Sequence, residues 1–497
     1  MSERPPAVRE KRAGLRLYAA AGVAILLALW TTASLWGGRF FVPLPWTTVA
    51  DTALLLADGF TWRQVGITVM RVLAGFAAGF LAGLVAGIAA GTRRELDALL
   101  KPLLLFFQGM PPLLWVIPII VLMGIGHLPT ILVIGLITLP VVAVTIAEGM
   151  GSLPREYGEM LSVFAPGPVP RIRELVFPHL KPFLGASLKV GLVLAAKASV
   201  TAEYFGANNG IGFQIQAAYQ SMQIRRLFAW ALLLILVILF FNHAAPRVRL
   251  LAPLARRLFG RDAPVVCRLE DIRELKKIFV SKKSAPRIAM DGVGFSYRHR
   301  VPILGGVSLS VSSKEIAVIA GESGVGKTTL LKLAASLLRP TAGKISCPQA
   351  VGFVFQDDRL LPWRTVAENT ALPLIYQGYP RKNALCFAHY LLAEAGLAGE
   401  EDKRPTELSG GMKKRAALAR CFARLPEAII LDEPFTGLHR EARVRLWQMF
   451  LRLLSLHPVP ALVVTHSPEE IAGLASCRLY SLKGRPATLM TGSAHER

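Results

Sequence analysis

The chain has 497 residues, enough for two or three domains, each with a core of full size. Hydrophobic residues make up 53% of it and the mean hydropathy is +0.45, an excess that lies in the first half and excludes an ordinary soluble protein. A formal net charge of +24 raises nucleic acid as a partner. The basic residues cluster beside apolar spans, however, with no aromatic-rich basic platform, so membrane topology accounts for the charge and no nucleic-acid partner is expected.

Arg4, Arg9, Lys11, Arg12 and Arg16 precede an apolar run from Leu17 to Trp36. A cleavable signal peptide competes for this stretch, but its length and the lack of a clear small-residue cleavage site favour an uncleaved first span. Five further spans are expected near 65–91, 102–126, 128–149, 182–203 and 227–246, each long enough to cross a hydrocarbon core of about 30 Å. Only Gly124 to Pro129 separates the third from the fourth, and Pro111, Pro112, Pro118 and Pro140 are expected to bend helices there. With six spans, cytoplasmic segments carry about 17 Lys and Arg against about four outside, which puts both ends of the chain in the cytoplasm.

Gly75, Gly79, Gly83, Gly87 and Gly91 recur every four residues in the second span. Such a stripe lets two helix backbones approach closely, and packing within one bundle is favoured over a seam between two chains. The stretch from Glu148 to Pro182 is too polar to span, too long for a tight turn and, by charge, cytoplasmic. Lys197 lies within the fifth span, where a charge is costly and faces a cavity or a partner. Lys197 and Glu203 are candidate substrate-pathway residues, and a kink or another helix would let them pair. From Arg247 to Pro286 the chain is rich in Arg and Lys, and Leu269 to Val280 alternates charged with apolar residues; a plain tether is favoured over a helix on acidic headgroups. The expected organisation is a polytopic α-helical membrane domain over 1–246, a basic linker over 247–285 and an α/β domain over 286–497. Cys267, Cys347, Cys386, Cys421 and Cys477 all follow the apolar half with no close pair, and read as reduced thiols with no disulfide.

Gly321-Glu322-Ser323-Gly324-Val325-Gly326-Lys327-Thr328 fits the phosphate-cradling loop G-x-x-x-x-G-K-[ST], with a buried strand predicted before it and a helix after it. Its glycines aim backbone N–H groups at phosphate oxygens, Lys327 reaches the β/γ-phosphates and Thr328 is placed to hold Mg²⁺. Alone, this indicates nucleotide binding and fits a kinase or a GTPase equally. Leu408-Ser409-Gly410-Gly411-Met412 opens a basic helical segment as a second anion site, and the apolar strand Ala428–Leu431 delivers Asp432 for Mg²⁺ and Glu433 for activation of water.

These motifs, in this order within about 115 residues, resemble the ATPase domain of an ABC transporter. The resemblance implies ATP and Mg²⁺ as ligands: Gly321, Ser323, Gly324, Gly326, Lys327, Thr328 and Thr329 around the phosphates, Tyr297 stacked on adenine, and Thr328, Gln356 and Asp432 at the metal. Glu433, Gln356 and the switch histidine His466 would then be catalytic. Ser409, Gly410 and Gly411 would contact ATP held by an opposite subunit, so one ATPase per chain implies a homodimer. In the cytoplasmic loop, Glu159-Met160-Leu161 resembles the opening of the coupling loop of bacterial ABC importers, Ala165 falls at its glycine position, and Phe177-Pro178 closes it. Met110–Pro118, Thr201-Ala202-Glu203 with Gly210-Ile211-Gly212, and Phe355–Arg364 resemble the permeases and ATPases of nitrate, sulfonate and taurine importers. Those are commonly separate chains, so the sequence resembles the two fused. In Pro434–His439, His439 replaces an aspartate that links the two ATP sites, which bears on their communication and not on hydrolysis.

The resemblance therefore implies ATP-driven import of a small anionic solute across a bacterial inner membrane, in contact with lipid and fed by an extracytoplasmic solute-binding protein. A half-exporter of lipophilic compounds is one rival, disfavoured by the coupling-loop pattern and the short loop between spans two and three. An ATP-gated membrane sensor is the other, kept open by His439 and disfavoured by the intact catalytic set.

Overall fold

The computed structural model describes residues 6–164, 167–244, 267, 269–281, 286–297, 301–466 and 477–491. Ala165 and the basic stretch Arg247–Arg261 lie outside the described residues. The chain divides into two compact units: one holds the residues up to Leu153 and those from His179 to Phe259, the other Pro154–Pro178 and the chain from Gly260 onward.

The first unit is helical: α1 (Pro6–Gly37), α2 (Pro45–Leu56), α3 (Gly59–Thr92), α4 (Arg94–Gly109), α5 (Pro112–Met123) and α6 (His127–Gly151). After α7 (Arg155–Phe164) and α8 (Pro168–Arg171), which belong to the other unit, come α9 (Phe177–Gly206), α10 (Ile211–Gln220) and α11 (Ile224–Ala244). Among the described residues, five stretches are long and apolar enough to cross a membrane, or six if α4 and α5 count as one span. The expected third span over 102–126 is corrected by this pair, which bends by 96° between Gly109 and Pro112. Two successive prolines remove two backbone donors at that point, whereas Pro118 and Pro140 sit inside α5 and α6 without ending them.

The glycine stripe of α3 packs inside this unit, against α6. A methyl group at Gly79 would overlap the Thr138 hydroxyl and come within 2.5 Å of the Gly135 carbonyl oxygen, and one at Gly83 would lie 2.6 Å from the Leu139 carbonyl oxygen. The two backbones approach so closely that only glycine fits on the α3 side.

A polar cluster ties α3 to α9 and α10. Arg71 and Glu203 pair at 3.1 Å with both side chains fully buried. The Arg71 guanidinium also donates to Asn209 O at 2.8 Å, to the Asn209 side chain and to His127 Nδ1 at 3.1 Å. Glu203 accepts from Thr68 Oγ1 at 2.9 Å and from the Gly212 N–H at 3.0 Å, while Gln64 and Thr68 take the N–H groups of Gly210 and Ile211. The buried N–H groups at the start of α10, which have no partner within their own helix, are thus satisfied by side chains from two other helices. The pairing of Lys197 with Glu203 that the sequence allowed does not form: Glu203 pairs with Arg71, and Lys197 stands exposed on α9. Six residues of unbroken helix turn through about 600°, which points the two side chains to different faces.

The second unit contains α12 (Leu269–Ser281), β1 (Ile288–Ser296), β2 (Pro302–Val311), β3 (Ile316–Ala320), α13 (Lys327–Ala334), β4 (Ala342–Ser346), β5 (Val351–Val354), α14 (Val366–Tyr376) and α15 (Arg381–Glu394). It continues with α16 (Gly410–Ala423), β6 (Ala428–Asp432), α17 (Arg440–Leu456), β7 (Ala461–Val464), β8 (Arg478–Gly484) and β9 (Ala487–Thr491). The strands form one sheet in the order β4-β1-β2-β9-β8-β3-β7-β6-β5. Its half from β8 to β5 is parallel throughout. The strands β5, β6 and β7 are buried at every residue, the pattern of a sheet covered on both faces.

Two expectations are corrected in this unit. Residues 269–281 are not a tether: α12 buries Leu275 and Phe279 in the core, where the Phe279 ring stacks on His457 with centroids 4.7 Å apart and meets Phe387 and Phe422 edge-on. This docking also brings Cys267 to Cys386 on α15, with Cα atoms 5.3 Å apart, and the two form a disulfide. A bridge across 119 residues leaves no trace in local cysteine spacing.

Replacing Gly79 by alanine is expected to cost about 1–3 kcal/mol or more through overpacking, whereas Gly66→Ala, with open space around it, is expected to be neutral or stabilising. Equal melting temperatures of the two purified variants would contradict the close α3–α6 approach. Arg71→Met leaves a buried carboxylate unpaired and is expected to cost about 3–5 kcal/mol; adding Glu203→Gln should recover more than half, since an amide still accepts from Thr68 and Gly212. Denaturant unfolding in detergent reads both values, and losses that simply add would rule out the charge pair as their cause.

Candidate functional site

The parallel half of the sheet decides where the site lies. Because β3, β5, β6 and β7 run in the same direction, their carboxyl ends share one edge, and the segments leaving them meet there. These segments carry the phosphate loop after β3, Gln356 after β5, Asp432 and Glu433 at the end of β6, and His466 after β7.

The phosphate loop turns into α13 at Gly326, whose φ of +115° is a conformation that side-chain-bearing residues avoid. Lys327 is buried with its ammonium folded over the loop, donating to Gly321 O and Glu322 O at 2.9 Å each. Burial pushes this ammonium below its ordinary value, while Glu433 and Asp432 pull the other way. Ser323, Gly324 and Thr328 are open to solvent, whereas Thr329 is buried beneath the loop. The Thr328 hydroxyl lies 3.4 Å from Asp432 Oδ1. Burial raises the Asp432 carboxyl, the Thr328 hydrogen bond opposes that, and Glu433 adds to it. A buried carboxyl reluctant to ionise is a group that a cation would stabilise.

Glu433 is held from several sides. His466 Nε2 is 2.6 Å from one carboxylate oxygen, and the other accepts from Gln356 Nε2 at 3.2 Å and Thr436 Oγ1 at 3.3 Å. Its backbone stands at φ +46°, a sparsely populated region, and its N–H donates to Val464 O at 3.0 Å. Gln356 and His466, assigned from separate stretches of sequence, thus both touch Glu433. Tyr297 follows β1, exposed and edge-on to Phe295 at 4.9 Å.

Ser409, Gly410 and Gly411 lie elsewhere, at the start of α16, where Ser409 Oγ accepts from the Met412 N–H. They line a cavity of about 390 Å³ together with Arg415, Gly437 and His439, and none of the phosphate loop forms its wall.

The expected coupling loop packs with this second unit. Buried Met160, Leu161, Val163 and Phe164 make one apolar face of α7. On its other side Glu159 bridges Lys332 of α13 at 2.9 Å and Arg359 at 3.0 Å. Burial alone would raise the Glu159 carboxyl, but these two hydrogen bonds outweigh it and hold it below the usual carboxylate range. Farther on, Glu174 pairs with Arg364, and its carbonyl accepts from Trp363 Nε1 at 3.1 Å. Pro178 is the second residue of α9, half-buried at the junction.

Sequence reasoning missed Lys332, Arg359, Glu174 and Arg364, whose pairing rests on contacts more than 170 residues apart. It missed Arg71 as well, although a charge inside the expected second span was a signal that could have found it.

Comparison with known proteins identifies both parts of the chain. The family model described as "ABC transporter" matches residues 304–436, and that described as "Binding-protein-dependent transport system inner membrane component" matches residues 79–250. The aliphatic sulfonates import ATP-binding protein SsuB 3 of Paraburkholderia xenovorans (strain LB400) is 38% identical over 208 residues, 42% of this chain and 82% of that protein. This chain is also similar to aliphatic sulfonates import ATP-binding protein SsuB 1 of Rhodococcus jostii (strain RHA1), 40% identical over 37% of this chain and 75% of that protein, and to taurine import ATP-binding protein TauB of Pseudomonas entomophila (strain L48), 37% identical over 35% and 71%. Among solved structures, a dimeric bacterial ABC transporter cassette matches with 28% identity over 39% of this chain and 94% of its own, at a TM-score of 0.37. The chain belongs to the ABC transporter family: a multi-pass membrane protein in which a permease and an ATP-hydrolysing ABC domain are joined in one polypeptide.

Proposed function

We propose that two copies of this chain form an importer for a small anionic solute of the sulfonate or taurine kind. It would work in a bacterial inner membrane with both termini cytoplasmic, fed by an extracytoplasmic solute-binding protein. The proposed division is a permease over 1–246, a linker that begins at 247, and an ATPase over 286–497 that also takes α12 out of the stretch 247–285. The observation that carries it is Glu159, which joins residues 154–178 to the ATPase through Lys332 on the helix of the phosphate loop and Arg359 on the segment of Gln356. A permease loop engaged with both nucleotide-facing segments is what transfer of their motion requires. The names of the relatives support the solute class.

In this reading Gly321, Ser323, Gly324, Gly326, Lys327 and Thr329 cradle the phosphates, and Tyr297 stacks on adenine. Lys327 leaves the loop carbonyls for the β/γ-phosphates. The oxygens of Thr328 and Asp432 converge as hard donors suited to Mg²⁺, Gln356 would join them as a further ligand, and the ion would neutralise charge on the transferred phosphoryl group. Glu433, aimed by His466, Gln356 and Thr436, accepts the proton of the attacking water and places it in line. Ser409, Gly410 and Gly411 complete the partner's site, in keeping with a cavity that shares no wall with their own phosphate loop. Glu203 is engaged by Arg71, so exposed Lys197 is the better pathway candidate of the two.

Glu433→Gln is expected to lower ATP turnover by about 100-fold or more while leaving ATP binding intact. Purified from native envelopes with ATP, this variant should retain one extracytoplasmic protein, and wild-type chains in liposomes with that protein should accumulate an alkanesulfonate or taurine. ATPase activity raised by lipophilic compounds, with no such protein recovered, would favour the half-exporter. Turnover without movement of any solute would favour the sensor.

A further inference from the structure

Lys414, Arg415 and Arg420 of helix α16, and Arg424 just past its end, donate to backbone carbonyls outside the helix, Arg415 to those of Ala395 and Gly396. Lys414 donates to Gln356 O, Arg424 to Val163 O of α7, and Arg420 between them makes the widest connection. The Arg420 guanidinium donates to Asp358 O and Arg359 O at 2.7 Å each and touches Met160 Sδ of α7 at 3.0 Å. It is 2% exposed and its acceptors are carbonyl oxygens and a thioether rather than a carboxylate. Burial pushes it down to about 10, still cationic at neutral pH.

A buried cation without a bonded carboxylate is costly to keep, and an apolar residue would fill the same volume at lower cost. What the guanidinium adds is geometry: a planar fork that fixes two successive carbonyls at once. Those carbonyls belong to Asp358 and Arg359, and the Arg359 side chain bridges to Glu159 and to Glu156 O. Its guanidinium also lies over the Phe355 ring, 3.7 Å from the centroid.

We propose that Arg420 is a positioning residue for coupling: it fixes the chain just after Gln356 so that Arg359 stays aimed at Glu159, joining the helix of Ser409 to residues 154–178. The proposal rests on the coupling-loop reading of those residues. Movement of α16 when the partner's nucleotide engages Ser409 would then drag Asp358 and Arg359, and through Glu159 both α7 and Lys332 of α13. Met160 adds a direct contact on the same route.

The test is a double-mutant cycle on ATP turnover of the full chain in lipid nanodiscs, with Arg420→Lys, Glu159→Gln and the pair. It needs no solute or binding protein. Each single change is expected to lower kcat about fivefold with the KM for ATP within about twofold of wild type, and the double variant should be no slower than the slower single within about twofold. Arg420→Met should lower kcat further than Arg420→Lys, because lysine retains part of the carbonyl contact. Multiplying effects in the double variant, a KM that rises in step with the loss of kcat, or a fall in melting temperature with no interaction in the cycle would overturn the proposal. A non-additive cycle in liposomes that accumulate no solute would uphold Arg420 and count against import alone.

Discussion

The carboxylate of Glu433 is the point on which the ATPase unit converges, and a backbone constraint puts it there. Parallel pairing of β5, β6, β7 and β3 leaves four loops on one edge, and each supplies one part: Gln356, the acidic pair, His466 and the phosphate loop. Were any of these strands reversed, its loop would leave the opposite edge and the site would lose a wall. The strained φ of Glu433 is tolerated because its N–H is tied to β7 and its side chain to three neighbours.

The membrane unit depends on a different constraint, the close approach of α3 to α6. Glycine gives up side-chain packing to bring two backbones together, which in lipid is a main source of helix association because apolar burial gives little net drive there. The same α3 carries Arg71, Thr68 and Gln64 to the start of α10. One helix thus supplies both the tightest apolar seam and the polar anchor of the unit, and the Thr-Ala-Glu and Gly-Ile-Gly stretches acquire a physical meaning. Glu203 reaches back to accept the Gly212 N–H, and a Cβ at Gly212 would lie 2.7 Å from that of Glu203.

What was legible in the sequence was whatever depends on short range. The phosphate loop, the helix that opens after Leu408-Ser409 and the buried strand before Asp432 are local patterns whose residues lie within a few positions of each other, and these elements stand where the sequence placed them. The glycine stripe was readable because its period matches a helix face. The bend at Pro111–Pro112 was foreseen in kind, but its 96° turned an expected single span into two helices. Less legible were contacts made by docking. The amphipathic pattern of residues 269–281 was visible, yet whether its apolar face meets lipid, solvent or a protein core depends on a groove formed by distant residues, here Phe387, Phe422 and His457. The Cys267–Cys386 bridge follows from the same docking and was missed for the same reason.

Magnitudes separate what holds the loop of residues 154–178 from what directs it. The Glu159 side chain is 41% exposed, so its bridges to Lys332 and Arg359 are worth roughly 0–1 kcal/mol each. The apolar residues of α7 are fully or almost fully buried, and each contributes about 1.5–3 kcal/mol relative to exposure. Affinity therefore comes from Met160, Leu161, Val163 and Phe164, while the ion pairs choose the register. Glu174 with Arg364 is the exception among them, because both side chains are nearly buried and the loss of either would strand the other. Under the proposed coupling, a weak, exposed pair at Glu159 would suit a contact that follows two moving segments, and the buried pair and apolar face would suit the fixed part of the same joint.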